Sequence, residues 1–207
     1  MNSRSYVPKP RKVVFPVYRA AAAAIQVLFY GFYLAKFFVQ KKQQIRTNQM
    51  GRGNKPKKVL LVERIMSVAT VLALLVSVGS IFLAGNQPLP LLAAAGFLCG
   101  IAAVGIFAAA TLTMKTSWRV GIPEEKTALI TEGIYSVSRN PAFVGFDLLY
   151  LSSCLLFPSL PMVLCAVFAA GMLHWQILQE EEYLLGVFGT AYAGYMRRVC
   201  RYLGRRG

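Results

Sequence analysis

Four apolar runs decide what this chain can become. Residues 17–39, 65–85 and 89–114 each reach the roughly 20 residues that a helix needs to cross a bilayer core, where it satisfies its own backbone. The fourth run, 141–178, is interrupted by Pro158 and Pro161, which break a helix interior. It therefore reads as a hairpin of two short or tilted helices turning at 157–161. The expected fold is an all-α integral membrane protein with about five transmembrane helices, the last two forming the hairpin. Composition agrees, since 56% of the residues are hydrophobic and the mean hydropathy is +0.50, too apolar for an ordinary soluble domain.

The runs carry details of their packing. Arg19 and Lys36 sit near the ends of the first, where long side chains snorkel. The alanine tract at 20–24 and the pair Gly96 and Gly100 have the small side chains that let helices approach closely. No small-residue cleavage site follows the first run, so it is expected to remain as a span.

A formal charge of +15 raises the question of nucleic acid, but its distribution answers it. Of the 23 Lys and Arg, 13 precede Glu63 and five follow Tyr195. They flank the apolar runs, as cationic loops that meet anionic lipid do, and no nucleic-acid partner is expected. The loops at 40–64 and 115–140 and the C-terminal tail are basic, whereas the turns at 86–90 and 157–161 hold no charge. The positive-inside rule then puts those three basic segments in the cytoplasm and the N-terminal tail outside. Residues 40–58, with seven Lys and Arg and the breakers Gly51, Gly53 and Pro56, are expected to be exposed and flexible.

Acids are placed differently: seven of the eight fall between Glu124 and Glu182. The chain thus divides into 1–114, a tail with three spans, and 115–207, where the functional residues are expected. Cys99, Cys154, Cys165 and Cys200 are far apart and His174 is the single histidine, a spacing that builds no zinc, haem or disulfide framework. No metal is expected.

Within the second part, residues 132–145 (EGIYSVSRNPAFVG) form a polar, punctuated loop between apolar runs. Asn140 suits an N-cap and Pro141 a first helical position, so a helix should start there, its amides facing the loop where an anion can sit. Asp147, two turns into that helix, is an intramembrane acid, expected either to be functional or to pair with Arg139 or another helix. A second polar stretch, 174–195, has Ile177, Glu181, Leu184, Leu185 and Phe188 on one helical stripe, which places a carboxylate among apolar residues. Glu182 falls on the solvated face. His174 reads either as a satisfied histidine at the helix end or as a catalytic one. Tyr192, Tyr195, Val199 and Tyr202 continue a stripe with arginines largely off it, so a basic amphipathic helix is expected on the cytoplasmic membrane surface.

The order of these motifs resembles the isoprenylcysteine carboxyl methyltransferase family and the related membrane phospholipid methyltransferases. The matching positions are Gly133, Tyr135, Arg139, Pro141 and Gly145, then Glu180, Glu181, Leu184, Phe188, Gly189, Tyr192 and Tyr195, with residues 117–121 as a lead-in. The resemblance implies transfer of a methyl group from S-adenosylmethionine to a lipophilic acceptor at the cytoplasmic interface, most simply the carboxylate of an isoprenylated cysteine or an analogue. A phospholipid amine and a non-catalytic scaffold of the same fold are the alternatives. It also implies catalytic roles for Arg139, Asn140 and Glu181. Cofactor contacts would come from Gly133, Ile134, Tyr135, Arg139, Asn140, Pro141, Gly145, His174, Glu180 and Glu181, with the donor's ammonium near Glu180 or Glu181, its carboxylate near Arg139 or the amides at the Pro141 helix start, and its adenosine along the backbone of 133–135. Asn140 and Phe143 stand where many members have histidine and tyrosine, so neither imidazole titration nor a hydroxyl is available there.

Overall fold

A computed structural model describes residues 14–84, 88–123 and 127–206. The basic N-terminal tail, the Asn86-Gln87 turn and the acids Glu124 and Glu125 lie outside the described residues. Six α-helices follow in order: α1 (Val14–Lys42), α2 (Lys57–Leu83), α3 (Pro90–Thr113), α4 (Pro141–Leu156), α5 (Leu160–Phe188) and α6 (Thr190–Arg198), with short 3-10 turns at Lys115–Ser117 and Gly133–Ser136. Proline occupies the first turn of α3, α4 and α5, where its missing N–H costs nothing. Ser159 caps α5 by accepting from the Met162 amide at 3.3 Å.

Four helices, α1, α2, α3 and α5, are long and apolar enough to cross a membrane, and α4 is a shorter apolar helix of 16 residues. The chain is a multi-pass membrane protein by that measure. The apolar run after Pro161 and the acidic stretch at 174–188 are one continuous 29-residue helix rather than a span followed by a separate element. Its break comes at Gly189, whose φ of +53° is a conformation that favours glycine.

The tightest packing joins α3 to α4, and glycine makes it possible. A Cβ on Gly96 would lie 2.8 Å from Leu156 Cγ, and one on Gly100 would lie 2.7 Å from Ile25 Cδ1 and 2.9 Å from Ser152 Oγ. Gly145 answers from α4, 3.2 Å from the Ala103 carbonyl oxygen by the same measure. Ser152 Oγ donates to the Gly96 carbonyl at 2.7 Å across this seam. Ala22 of the alanine tract is buried beside Leu156 and Phe157. Phe29, Phe107 and Phe146 fill the centre with ring centroids 4.4 to 5.5 Å apart, and Gln26 Nε2 ties α1 to Ser77 of α2 (2.7 Å) and Ser153 of α4 (3.2 Å).

Two expectations need correction. The 40–58 loop is not uniformly exposed, because Gln40, Thr47 and Gln49 are buried in a folded-back segment. Gln40 Nε2 donates to the Trp118 carbonyl at 3.0 Å, while Gln49 N and Val120 N form a short ladder with the carbonyls of Val120 and Thr47. Glu63 locks this arrangement: its carboxylate, fully buried, accepts from Lys55 Nζ, Gly51 N and Ile122 N at 2.7 to 2.9 Å. The amphipathic C-terminal helix also differs from expectation. It ends at Arg198, and its apolar face, Tyr192 and Tyr195 with Val199 beyond, packs on Leu129, Leu184 and Phe188 rather than on lipid. Tyr202 lies outside the helix because the chain turns back, with Cys200 N bonded to the Gly204 carbonyl.

Candidate active site

Antiparallel packing brings the start of α4 against the far end of α5. Arg139 donates to Glu181 Oε1 through Nε (3.1 Å) and Nη2 (2.8 Å), and Asn140 Nδ2 reaches the same oxygen at 3.1 Å. Arg201 takes the other oxygen, Oε2, through Nε (3.0 Å) and Nη2 (2.9 Å). One carboxylate therefore serves two guanidiniums, a charge-assisted cluster that binds three chain segments together. The hydrogen bonds from Arg201 to Glu181 raise the pKa of that guanidinium further. Arg139 is used completely, since Nη1 donates to the Met196 and Val199 carbonyls and its own amide bonds to the Cys200 carbonyl. Asn140 occupies the N-cap position without capping; its amide goes to Glu181 and to the Arg201 carbonyl at 3.2 Å.

The Gly133–Ser136 turn joins this cluster through the tyrosines. Tyr195 Oη donates to the Tyr135 carbonyl at 2.6 Å and thereby fixes α6 over the turn. Burial, with smaller contributions from Tyr195 and Glu180, pushes the Tyr135 hydroxyl well above the ordinary phenol range, so it acts as a neutral group. Gly133, at φ +57° against Thr113, sets the turn's direction.

The sequence candidates thus separate into groups. Arg139, Asn140, Pro141 and Glu181 come together in the buried cluster, with Gly133, Ile134 and Tyr135 attached to it through α6. Gly145 faces α3 as a packing glycine. His174 is exposed and shares a 2.5 Å hydrogen bond with Tyr202. Asp147 does not pair with Arg139, and its buried Oδ1 has no hydrogen-bond partner among the described residues.

Glu180 alone among them lines the cavity inside the helix bundle. That cavity, of about 580 Å³, runs between α1, α2, α4 and α5. Its polar lining includes Glu180, Arg119 and Asn48, and its apolar lining residues such as Val27, Leu34, Val71 and Leu74, the first three exposed on the surface. Gln176 Nε2 donates to Glu180 Oε1 at 3.0 Å, holding the carboxylate from its own helix. Phe143 and Phe146 form the α4 wall, and residues 118–121 form the wall opposite. The sequence held one signal for the residues that build this wall: Glu63 is a single acid among the cations of the first part, and an isolated acid there needs a buried reason to exist.

Glu180 and Arg119, an acid and a base, line the same cavity, with Arg119 Nη1 donating to the Thr116 and Trp118 carbonyls at 2.6 and 2.9 Å, and such a pair of charges suits an amino-acid zwitterion. An apolar channel beside them suits a hydrocarbon tail. No curated protein matches the chain. Residues 90–191 match the model of the phospholipid methyltransferase family, so the stretch from α3 to the start of α6 carries the pattern of a membrane methyltransferase.

Proposed function

We propose that this protein moves a methyl group from S-adenosylmethionine to a lipophilic acceptor whose tail lies between α1 and α2, with the site facing the cytoplasm. The observation that carries the reading is the cavity lined by Glu180 together with exposed apolar side chains of two spanning helices. When bound, the donor supplies a methyl carbon already activated by the adjoining sulfonium. The protein's task is then to hold two reactants in line and keep water away. Glu180 takes the donor's ammonium and Arg119 its carboxylate. Arg139, Asn140 and Glu181 act as positioning residues: they fix the start of α4, from which Ala142 and Phe143 reach the cavity. The bond from acceptor to methyl carbon forms as the methyl–sulfur bond breaks, and the sulfur leaves as a neutral thioether.

An amine acceptor is preferred over the carboxylate that the sequence motifs suggest, since Glu180, the acid that lines the cavity, makes it less favourable for a second anion. The match to phospholipid methyltransferases supports the same preference. The carboxylate of an isoprenylated cysteine remains as a second reading because it is ionised at neutral pH and needs no base before attack. The test supplies labelled S-adenosylmethionine with phosphatidylethanolamine or a farnesylated cysteine derivative in mixed micelles. Label that resists base and stays on the phospholipid headgroup supports the amine; base-labile label on the cysteine derivative establishes the ester. Failure of the protein to bind S-adenosylhomocysteine in calorimetry would sink the methyltransferase reading.

A further inference from the structure

A second crevice lies outside the active site, at the end of α1 where the chain folds back. It measures about 740 Å³ and is bounded by Phe37, Lys41, Arg46 and Arg52, with Thr47 and Gln49 among its other lining residues. Its walls are not a loose basic loop. Gln43, Gln44 and Ile45 donate their amides to the carbonyls of Gln40 and Lys41, which turns the chain. Thr47 and Gln49 are buried, and Thr47 Oγ1 donates to Gln40 Oε1 at 2.7 Å. The three cations are exposed, and none makes an ion pair among the described residues. Glu63, the nearest acid in sequence, is consumed by Lys55 and two backbone amides. The crevice therefore keeps a positive field that no acid among the described residues cancels.

Its position selects the ligand. Lys41 closes the last turn of a spanning helix, and Phe38 and Leu34 lie exposed on the turns below it, where hydrocarbon chains run. We propose that this crevice binds the phosphate headgroup of an anionic phospholipid, with Lys41, Arg46 and Arg52 around the phosphate and the acyl chains along Phe37 and Phe38. Arginine suits phosphate through its planar fork, and lysine adds a point charge. A soluble phosphate compound would share the cationic contacts but would leave the aromatic side unused. The crevice also borders the active-site cavity, because Asn48 lines both and the backbone ladder from Thr47 and Gln49 to Val120 forms the partition.

Native mass spectrometry of the detergent-solubilised protein, titrated with phosphatidylglycerol and with phosphatidylcholine, tests this. The variant Lys41→Gln/Arg46→Gln/Arg52→Gln should lower phosphatidylglycerol affinity about tenfold or more, the scale expected when several juxtamembrane cations are removed. The charge-matched control Lys57→Gln/Lys58→Gln/Arg197→Gln should retain it, and both should melt at the unmodified protein's temperature. Equal losses in the two triple variants would mean diffuse attraction and overturn the site. Displacement of the lipid by millimolar glycerol 3-phosphate, with no dependence on acyl chains, would overturn the lipid assignment. Unchanged phosphatidylglycerol affinity in the first variant would overturn the proposal outright.

Discussion

Glu181 is held by Arg139 through two hydrogen bonds of 2.8 and 3.1 Å, with their side chains 5% and 3% exposed respectively. Adjacent Glu180 instead faces the cavity. Two neighbouring glutamates thus differ by about 100° of helix rotation and by role. Removing the charge of Glu181 leaves Arg139 buried and unpaired, and breaking such a pair costs roughly 3 to 5 kcal/mol. Glu181→Gln should therefore lower the thermal midpoint in detergent by several degrees and free the C-terminal segment to proteolysis. Arg139→Lys should not restore the loss in any combination, since an ammonium cannot reproduce the fork. A Glu181→Gln protein that melts normally would contradict this structural role.

Glu180→Gln should behave in the opposite way. A charged hydrogen bond in a partly buried site contributes roughly 1.5 to 3 kcal/mol, so S-adenosylhomocysteine affinity should fall about tenfold or more. The melting temperature should stay within a degree or so of the parent, as Gln176 can still bond to the amide. Calorimetry and a thermal melt on the same preparation separate the two glutamates.

The helices were legible because bilayer length and proline position leave few alternatives for runs such as 65–85. Asn140 and Pro141 marked the start of α4 correctly, yet the asparagine's hydrogen bonds go elsewhere, which only the proximity of α5 explains. Residues 40–58 misled because polarity signals exposure only when no distant carbonyl needs a donor. The Trp118 carbonyl, 78 positions away, is such an acceptor for Gln40. Tyr202 misled for a related reason: helical spacing continued the stripe, but the backbone turned back to pair with residues 198–200 and 137. Periodicity reports a face only while the helix lasts.

Close packing at the α3–α4 seam makes a separate prediction. Gly145→Ala would put a methyl group 3.1 Å from Phe107 Cβ and 3.2 Å from a backbone oxygen that cannot rotate away. Overpacking of this kind costs about 1 to 3 kcal/mol, visible as a lower midpoint in chemical denaturation. Gly31→Ala is the control, because a Cβ there meets nothing within 4 Å. The better helix propensity of alanine should leave that variant as stable as the parent or more so, by up to about 1 kcal/mol.

The ladder between Gln49 and Val120 sets the loops after α1 and α3 at one end of the molecule. In a cysteine-free background, single cysteines at Asn54 and Thr127 should therefore be labelled from the same side by a membrane-impermeant reagent. From the charge asymmetry, the expected side is the cytoplasmic one. Labelling from opposite sides would require that α2 and α3 do not form a pair of crossings.

Acceptor length probes the cavity itself. Each methylene moved from water into an apolar channel contributes up to about 0.8 kcal/mol, or about fourfold in affinity. For a series of acceptors with one headgroup and increasing chain length, kcat/KM should climb with each added carbon and then level once the channel between α1 and α2 is filled. Val71 lines that channel from α2 and is half-exposed to the membrane side. Val71→Trp should bring the plateau to a shorter chain and raise KM for long acceptors, while S-adenosylhomocysteine affinity stays unchanged because the donor contacts proposed at Glu180 and Arg119 are left in place. A uniform drop at every chain length would instead report general damage to α2. A length dependence identical to the parent's would remove the acceptor tail from this cavity and send the search to another face of the bundle.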